Sequence, residues 1–220
     1  MKQLITEYRT LVFDCDGVVL NSNRVKTDAF YQTALPYGEA AAQALVDYHV
    51  QNGGISRYLK FAYFLEHIVA RDPKGPELGK LLARYAEEVI GGLKYCDIAP
   101  GLTELRANSA ARWLIVSGGD QSELREVFTV RGIASLFDGG IFGSPDTKDA
   151  ILTRELMVGN IQFPALFLGD SKYDFHAATQ AGLAFIFLHG WSEVSDWKLW
   201  ADQQRIVTCH SLADLACIAI

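Results

Sequence analysis

The chain has 220 residues, of which 50% are hydrophobic and 21% are charged, and this composition is typical of a globular protein with a buried core. The net charge of −6, without a strongly basic stretch, argues against a nucleic-acid partner. The first ten residues lack the apolar region of a signal peptide, and no apolar run is long enough to span a membrane. We therefore expect a cytoplasmic protein with no membrane partner, and the sequence leaves its oligomeric state open.

Four cysteines are spread along the chain without a metal-binding or disulfide pattern. They are Cys15, Cys96, Cys209 and Cys217, and no two of them form a CxxC pair. We expect all four to be reduced thiols.

Apolar, β-rich runs alternate with helical patterns. Residues 10–14 (TLVFD) form the first such run, and three more follow at Trp113–Val116, Ala165–Leu168 and Ala184–Leu188. The helical patterns between them are Ser122–Arg131, Lys148–Val158 and Tyr173–Ala181. This alternation predicts an α/β fold with a mostly parallel sheet covered on both faces. Ligands bind beyond the carboxyl ends of the strands in such sheets, where this chain places polar residues.

The region from residue 20 to residue 95 differs, because it lacks strong strand runs. Helices are predicted at Arg24–Leu35, at Glu39–Val50, from Ser56 as N-cap to about Ala70, and at Glu77–Ile90, with Gly91 and Gly92 as the stop. The pattern predicts a small helical cap domain at 20–95, inserted into a core domain made of residues 1–19 and 96–220.

The first candidate site residues, Asp14 and Asp16, close the first strand run and precede Gly17. One carboxylate can attack phosphorus and form an aspartyl phosphate. The other can protonate the leaving oxygen and then deprotonate water. Gly17 permits a tight turn. Taken alone, the motif fits a solvated Asp-Gly turn equally well.

Two further elements suit a phosphoryl group. Ser117 follows the second run and precedes Gly118, so a hydroxyl and loop amides could bind phosphate oxygens. Lys148, before a predicted helix, could neutralise both the nucleophile and the phosphoryl group. Separately, a capping serine and a solvated lysine would explain them.

A pair of carboxylates follows the third run. Mg²⁺ is commonly held by one or two carboxylates together with phosphate oxygen and water. Asp170, at the strand end, is a candidate ligand, and Asp174 could bind through water or orient another group. The alternative is that Asp170 caps the next helix and Asp174 favours its dipole.

Together, these elements resemble the four signature motifs of the haloacid dehalogenase-like superfamily. The motifs are Asp14-x-Asp16, Ser117, Lys148 and Gly169-Asp170-x-x-x-Asp174. The resemblance covers almost the whole chain and implies a Rossmann-like parallel sheet with an inserted helical cap. It also implies a small phosphorylated metabolite as substrate.

The resemblance also assigns roles. Asp14 would be the nucleophile and a Mg²⁺ ligand, and Asp16 the acid/base, with its backbone carbonyl on the metal. Asp170 would complete the metal ligands, and Asp174 would support the metal or Lys148. Ser117, Gly118 and Lys148 would hold the phosphoryl group. Many relatives place this lysine in a Lys-Pro-x-Pro run, whereas here the proline comes first, at Pro145. Lys148 is nevertheless the sole lysine between Lys94 and Lys172.

Three functions remain open within this resemblance. Dehalogenases need no acid/base carboxylate, so Asp16 favours a phosphatase acting on a sugar phosphate or a phosphoglycolate-like acid. A sugar phosphomutase is the second, but such enzymes often carry a histidine where this chain has Lys26. The third is a binding or regulatory protein without turnover, against which the intact motifs argue.

Substrate specificity is expected in the cap segment from Gly53 to Lys60. A glycine pair opens a helix that carries Arg57 and Lys60 near its start. Either cation could face the core site and bind an anionic or hydroxyl-rich leaving group, although a solvated helix face would also explain them.

Overall fold

A single parallel sheet forms the centre of the protein. The computed structural model describes residues 5–217, with side chains described through residue 215, so the Cys217 thiol lies outside the described part. Within this range the sheet has six strands in the order β3-β2-β1-β4-β5-β6. The strands are β1 (Thr10–Phe13), β2 (Arg112–Asp120), β3 (Gly140–Ser144), β4 (Ala165–Gly169), β5 (Ala184–Leu188) and β6 (Val207–Cys209).

The first strand lies in the middle of the sheet, and all four of its residues are buried. Phe13, its last residue, pairs with Ile115 of β2 on one side and with Leu168 of β4 on the other. β1 and β4 therefore end almost level with each other, and β2 continues beside them to Asp120. The residues that follow them must converge, as expected for a parallel α/β sheet.

Helices cover the sheet and form the insert after β1. No helix among the described residues is long and apolar enough to cross a membrane. The helices are α1 (Asn23–Ala34), α2 (Glu39–Gln51), α3 (Arg57–Tyr63), α4 (Pro76–Tyr95), α5 (Leu102–Ala107), α6 (Gln121–Val130), α7 (Lys148–Met157), α8 (Lys172–Gln180) and α9 (Trp197–Gln204).

The predicted α/β class is confirmed, but two strands carried too weak a signal to be predicted. The sequence of β3 is GIFGS, in which two glycines interrupt the β-rich pattern. The sequence of β6 has three residues, VTC, too few to show a period. Both strands are recognisable from their pairing with β2 and β5, which is a long-range contact.

One local prediction in the insert is wrong, and a second differs in detail. Helix α4 does not stop at Gly91 and Gly92 but continues to Tyr95. A Cβ at Gly92 would lie 2.3 Å from Cγ1 of Val25, so this glycine allows α4 to pack closely against α1. Ser56 is the N-cap of α3, as predicted, but its side chain makes no capping bond. The predicted helix to about Ala70 is α-helical to Tyr63 and continues as a short π-helical segment (Phe64–Ile68).

Aromatic rings form the interior of the insert. The ring centroids of Phe30 and Tyr85 lie 4.4 Å apart, and those of Phe30 and Phe61 lie 5.1 Å apart. All three side chains are at least 98% buried. They join α1, α3 and α4 and thereby fix the position of residues that face the sheet.

Substitution of Phe61 by Ala is expected to lower the free energy of unfolding by about 3–5 kcal/mol, because it opens a cavity among these rings. Leu59→Ala on the same helix is the control. Since Leu59 is 55% exposed, its loss should change stability little. Urea unfolding followed by circular dichroism measures both. Equal losses in the two variants would contradict this description of the insert's core.

Candidate active site

The predicted site residues converge at the carboxyl edge of the sheet. Asp14 follows β1 and Asp170 follows β4, and oxygens of Asp14, Asp170 and Asp174 all lie within 4.8 Å of one another. All three carboxylates are buried. Three buried carboxylates in contact repel one another, so this arrangement requires positive charge.

Lys148 supplies part of that charge. Its Nζ lies 2.9 Å from Oδ2 of Asp14 and donates a hydrogen bond of 2.5 Å to Oδ1 of Asp174. Its side chain is 1% exposed. Burial opposes its charge, but the two carboxylates raise the pKa of Lys148 above its usual value. Lys148 is therefore a protonated bridge between β1 and α8.

Asp174 is engaged at both carboxylate oxygens. While Oδ1 accepts from Lys148, Oδ2 accepts from the backbone N–H of Asp170, the backbone N–H of Ser171 and the Ser171 hydroxyl. Ser171, not Asp170, is the N-cap of α8, and with Asp174 it forms a capping box. Asp174 thus orients Lys148 and the loop that carries Asp170.

The carboxylate of Asp170 packs closely against the turn at Gly17. A Cβ at Gly17, whose φ is +72°, would lie 2.0 Å from Oδ2 of Asp170. Only glycine leaves room for this carboxylate. The amide of Asn23 donates to the same oxygen at 2.7 Å and to the carbonyl of Trp191 at 2.9 Å. Asp170 is therefore held by the first turn of α1 as well as by its own strand.

Asp16 has a separate set of partners. Its Oδ1 accepts from the hydroxyl of Ser22 at 2.6 Å, and its Oδ2 accepts from Nζ of Lys26 at 2.5 Å. Burial would raise the pKa of Asp16, but Lys26 and the hydroxyl of Ser22 lower it below its usual value. The two carboxylates of the first motif thus bind different lysines, Asp14 with Lys148 and Asp16 with Lys26.

The last residues of β2 lie against the insert. The hydroxyl of Ser117, fully buried, accepts from the backbone N–H of Gly119 at 3.0 Å. A Cβ at Gly118 would lie 2.3 Å from the carbonyl oxygen of Gly54 in the insert. Asp120, rather than Ser117, caps the following helix. Ser117 and Gly118 are therefore placed where the sheet edge and the insert meet.

A small cavity of about 60 Å³ lies between the sheet edge and the insert. Its sheet side includes Asp14, Asp16 and Asp170. Its insert side includes Phe30, His49, Arg57, Lys60 and Tyr85, and Glu193 lines it as well. Both cations that the sequence suggested for specificity therefore face the cavity.

The two cations differ in their bonding. Arg57 donates to both oxygens of Glu123 on α6, at 3.0 and 2.7 Å, and its Cζ lies 4.6 Å from the ring centroid of Tyr85. The next residue, Tyr58, donates to Asp120 at 2.8 Å. Arg57 is thus paired across the boundary between insert and sheet. Lys60 instead contacts His49, with 2.6 Å between Nζ and Nδ1.

The acidic cluster fits a divalent cation. Burial and neighbouring carboxylates raise the pKa of Asp14 to about 7 despite Lys148, and they raise the pKa of Asp170 well above its usual value. Asp14, Asp170 and Asp174 could each offer a carboxylate oxygen to one ion, since these oxygens lie within 4.8 Å of one another. Hard oxygen donors of this kind suit Mg²⁺.

The sequence did not assign roles to several residues that the structure places here, namely Asn23, Lys26, His49 and Glu123. One of them, Lys26, could have been recognised from the sequence. Lys26 lies four residues before Phe30 on α1, so a lysine shares the face of a core aromatic residue. A charge on a buried helix face requires a partner, but the sequence did not indicate which residue that partner would be.

Substitution of Lys26 by Met is expected to lower the free energy of unfolding near neutral pH by about 3 kcal/mol, because it leaves Asp16 buried without its cation. The loss should shrink as the pH falls, since protonation of Asp16 removes the unpaired charge. Denaturant unfolding over a pH series measures this.

Arg24→Met is the matched control on the same helix. Arg24 pairs with Asp28 at 4.0 Å with side chains 93% and 71% exposed, so its loss should have little effect. A Lys26→Met variant as stable as Arg24→Met at every pH would contradict the importance of the Lys26–Asp16 pair.

Solved structures share this fold at low sequence identity. CbbY from Rhodobacter sphaeroides in complex with phosphate is 19% identical, over 94% of this chain and 96% of that chain, with a TM-score of 0.69. A provisionally assigned phosphoglycolate phosphatase from Lactobacillus plantarum is 22% identical, over 94% and 97%, with a TM-score of 0.69. A provisionally assigned β-phosphoglucomutase from Bacteroides vulgatus is 17% identical, over 96% and 87%, with a TM-score of 0.71.

Comparison with curated protein sequences gives no significant match. A family model for haloacid dehalogenase-like hydrolases matches residues 8–182, a span that runs from the start of β1 to the end of α8 and contains every residue of the four motifs. The chain therefore belongs to the haloacid dehalogenase-like hydrolases.

Proposed function

We propose that this protein is a Mg²⁺-dependent phosphatase that hydrolyses a phosphate monoester of a small metabolite through an aspartyl phosphate on Asp14. The observation that carries the proposal is the pairing of two adjacent carboxylates with two different lysines. Asp14 contacts Lys148 beside Asp170, whereas Asp16 contacts Lys26. Two carboxylates in different environments suit two different roles.

In the first half-reaction, a carboxylate oxygen of Asp14 attacks phosphorus. The substrate enters as a phosphate monoanion and passes its proton to Asp16, whose pKa Lys26 and the hydroxyl of Ser22 hold below its usual value. The bond from phosphorus to the leaving oxygen breaks, and Asp16 gives that oxygen the proton. Lys148 and the end of β2 at Ser117 and Gly118 bind the phosphoryl oxygens and stabilise the charge that develops on them. Asp174 holds Lys148 in position.

In the second half-reaction, Asp16 takes a proton from water, and the water oxygen attacks the phosphorus of the aspartyl phosphate. Phosphate leaves, and the carboxylate of Asp14 is restored. The same carboxyl group thus acts as acid and then as base. Its bonds to Ser22 and Lys26 keep it oriented in both steps.

Asp14, Asp170 and the backbone carbonyl of Asp16 are the proposed ligands of Mg²⁺. When bound, the ion supplies positive charge to the phosphoryl group and to the nucleophile. The buried position of both carboxylates supports this assignment, because two like charges otherwise disfavour their ionised forms.

Residues 20–95 are proposed to act as a cap domain over residues 1–19 and 96–220. The close approach of Gly54 to Gly118 and the pairing of Arg57 with Glu123 support a closed arrangement. Closure excludes water and limits the substrate to a small molecule. A sugar phosphate and a phosphoglycolate-like acid both fit this description.

Relatives are consistent with this reaction class without identifying the substrate. A mutant of CbbY from Rhodobacter sphaeroides was solved in complex with xylulose-1,5-bisphosphate. A phosphomutase remains the second candidate, since one similar structure is provisionally assigned to that class. A binding protein without turnover is the third candidate, and the intact pairs of Asp14 and Asp16 argue against it.

The test is phosphate release from a panel of sugar phosphates, phosphorylated short acids and nucleotides, with Mg²⁺ and with a chelator. We expect release that requires Mg²⁺ and falls by more than about a thousandfold in Asp14→Asn. Release that persists in Asp14→Asn would contradict covalent catalysis. Conversion of a sugar phosphate to its isomer with a bisphosphate primer, without release, would favour the mutase.

Asp16→Ala is expected to cost about 10²–10⁴-fold in rate for sugar phosphates, whose alkoxide leaving groups need a proton. The loss should be much smaller for an aryl phosphate with an acidic phenol. Steady-state kinetics with both substrates measure the difference. Equal losses would contradict the role of Asp16 as the acid.

Mg²⁺ binding has a readout that does not depend on turnover. Adding Mg²⁺ should raise the Tm of the wild-type protein, because the ion binds only the folded state and neutralises its buried carboxylates. Asp170→Asn should abolish the shift, whereas Asp149→Asn, a substitution in the first turn of α7 outside the acidic cluster, should retain it. An unchanged shift in Asp170→Asn would rule out this ligand.

A further inference from the structure

Four cationic side chains are buried among the described residues: Lys26, Arg57, Lys60 and Lys148. Three of them form ion pairs with carboxylates. Lys26 pairs with Asp16, Arg57 pairs with Glu123, and Lys148 pairs with Asp14 and Asp174. Within residues 5–215, Lys60 has no carboxylate within 4.0 Å of its Nζ.

Lys60 is nevertheless 2% exposed and lines the cavity. Its Nζ has two contacts, His49 Nδ1 at 2.6 Å and the carbonyl oxygen of His49 at 3.4 Å. A buried ammonium without a counterion is costly. Burial, followed by the charge of Lys26, lowers the pKa of Lys60 to about 7.

His49 carries a second incomplete polar group. It is 8% exposed and lines the same cavity, and its Nε2 has no hydrogen-bond partner among the described residues. A protonated Lys60 donates to Nδ1, and this bond places the ring hydrogen on Nε2. The ammonium of Lys60 and the Nε2–H of His49 are then neighbouring hydrogen-bond donors. The Nε2–H has no acceptor among the described residues.

We propose that Lys60 and His49 form a subsite for a second oxyanion in the substrate's leaving group, either a carboxylate or a second phosphate. This inference rests on the proposed function and narrows its substrate class. An oxyanion supplies the missing counterion of Lys60 and an acceptor for His49 Nε2. Neutral polyols, by contrast, would leave the ammonium unpaired.

The charges around Lys60 are consistent with this subsite. Asp16 and Lys26 already neutralise each other, and Lys148 is paired with the acidic cluster. The carboxylate of Glu193 is bound by the hydroxyl of Thr27 at 3.0 Å. None of these groups lies within ion-pair distance of Lys60, so a ligand oxyanion has no protein carboxylate to displace.

The first experiment compares matched phosphate monoesters. Phosphoryloxy carboxylic acids of two to five carbons are paired with hydroxyalkyl phosphates of equal length, and alkanediol bisphosphates form a third series. At one chain length or more, the wild-type kcat/KM should favour an anionic compound over its neutral partner by about tenfold or more. If the phosphoryloxy acids have the higher kcat/KM, the recognised anion is a carboxylate, and if the bisphosphates do, it is a phosphate.

Lys60→Met should remove that preference, so that kcat/KM for the anionic and the neutral ester becomes equal within about threefold. Lys80→Met, an exposed substitution on α4 of the same insert, is the control and should retain the preference. His49→Phe should reduce the preference in part. A wild-type enzyme that hydrolyses neutral and anionic esters equally at every length would overturn the inference, as would a preference that survives in Lys60→Met.

A binding measurement separates this inference from the proposed function. Asp14→Asn protein with Mg²⁺ is titrated calorimetrically with the acid and neutral series in two buffers of different ionisation enthalpy. Tighter binding of an acid, accompanied by proton uptake that Lys60→Met abolishes, supports the subsite even if no compound is hydrolysed. Equal binding of both series without proton uptake overturns it, whatever the activity.

Discussion

The contact between Lys148 and two buried carboxylates is the interaction on which the rest of the site depends. Three carboxylates whose oxygens lie within 4.8 Å of one another would repel in a medium of low polarity. Lys148 bridges Asp14 and Asp174, and the capping box of α8 also holds Asp174 in position. One lysine cannot balance three carboxylates, so the cluster still attracts positive charge. A divalent cation fits that need, because it adds two positive charges beside the carboxylates.

The backbone around this cluster is adapted to the same constraint. Gly17 leaves room for Asp170, and Gly118 lets the insert reach the sheet edge. Lys26, Arg57 and Lys60 of the insert line the same cavity as the carboxylates. In this arrangement the sheet provides the proposed chemistry, while the helices α2 and α3 provide the proposed recognition. The Arg57–Glu123 pair joins the two parts and places the start of α3 above the cavity.

Sequence reasoning located the sheet side of the site because a parallel sheet imposes a strict geometry. Asp14 and Asp170 follow buried strands, and strands β1 and β4 are adjacent, so their ends must meet. The insert side could not be predicted in the same way. Which cation pairs with which carboxylate depends on how helices pack, as the Arg57–Glu123 and Lys26–Asp16 pairs show. Lys26 could be recognised as unusual from its helix face, but its partner was decided by tertiary contacts.

The central claim is that Asp14 is a covalent nucleophile. The most direct measurement is rapid acid quenching of the enzyme during turnover of a phosphate monoester labelled with ³²P, followed by mapping of the labelled peptide. The account predicts label on the peptide that contains Asp14, stable in acid and released by hydroxylamine, as expected for an acyl phosphate. Phosphate release without a labelled protein at any quench time, or label on a different residue, would contradict it.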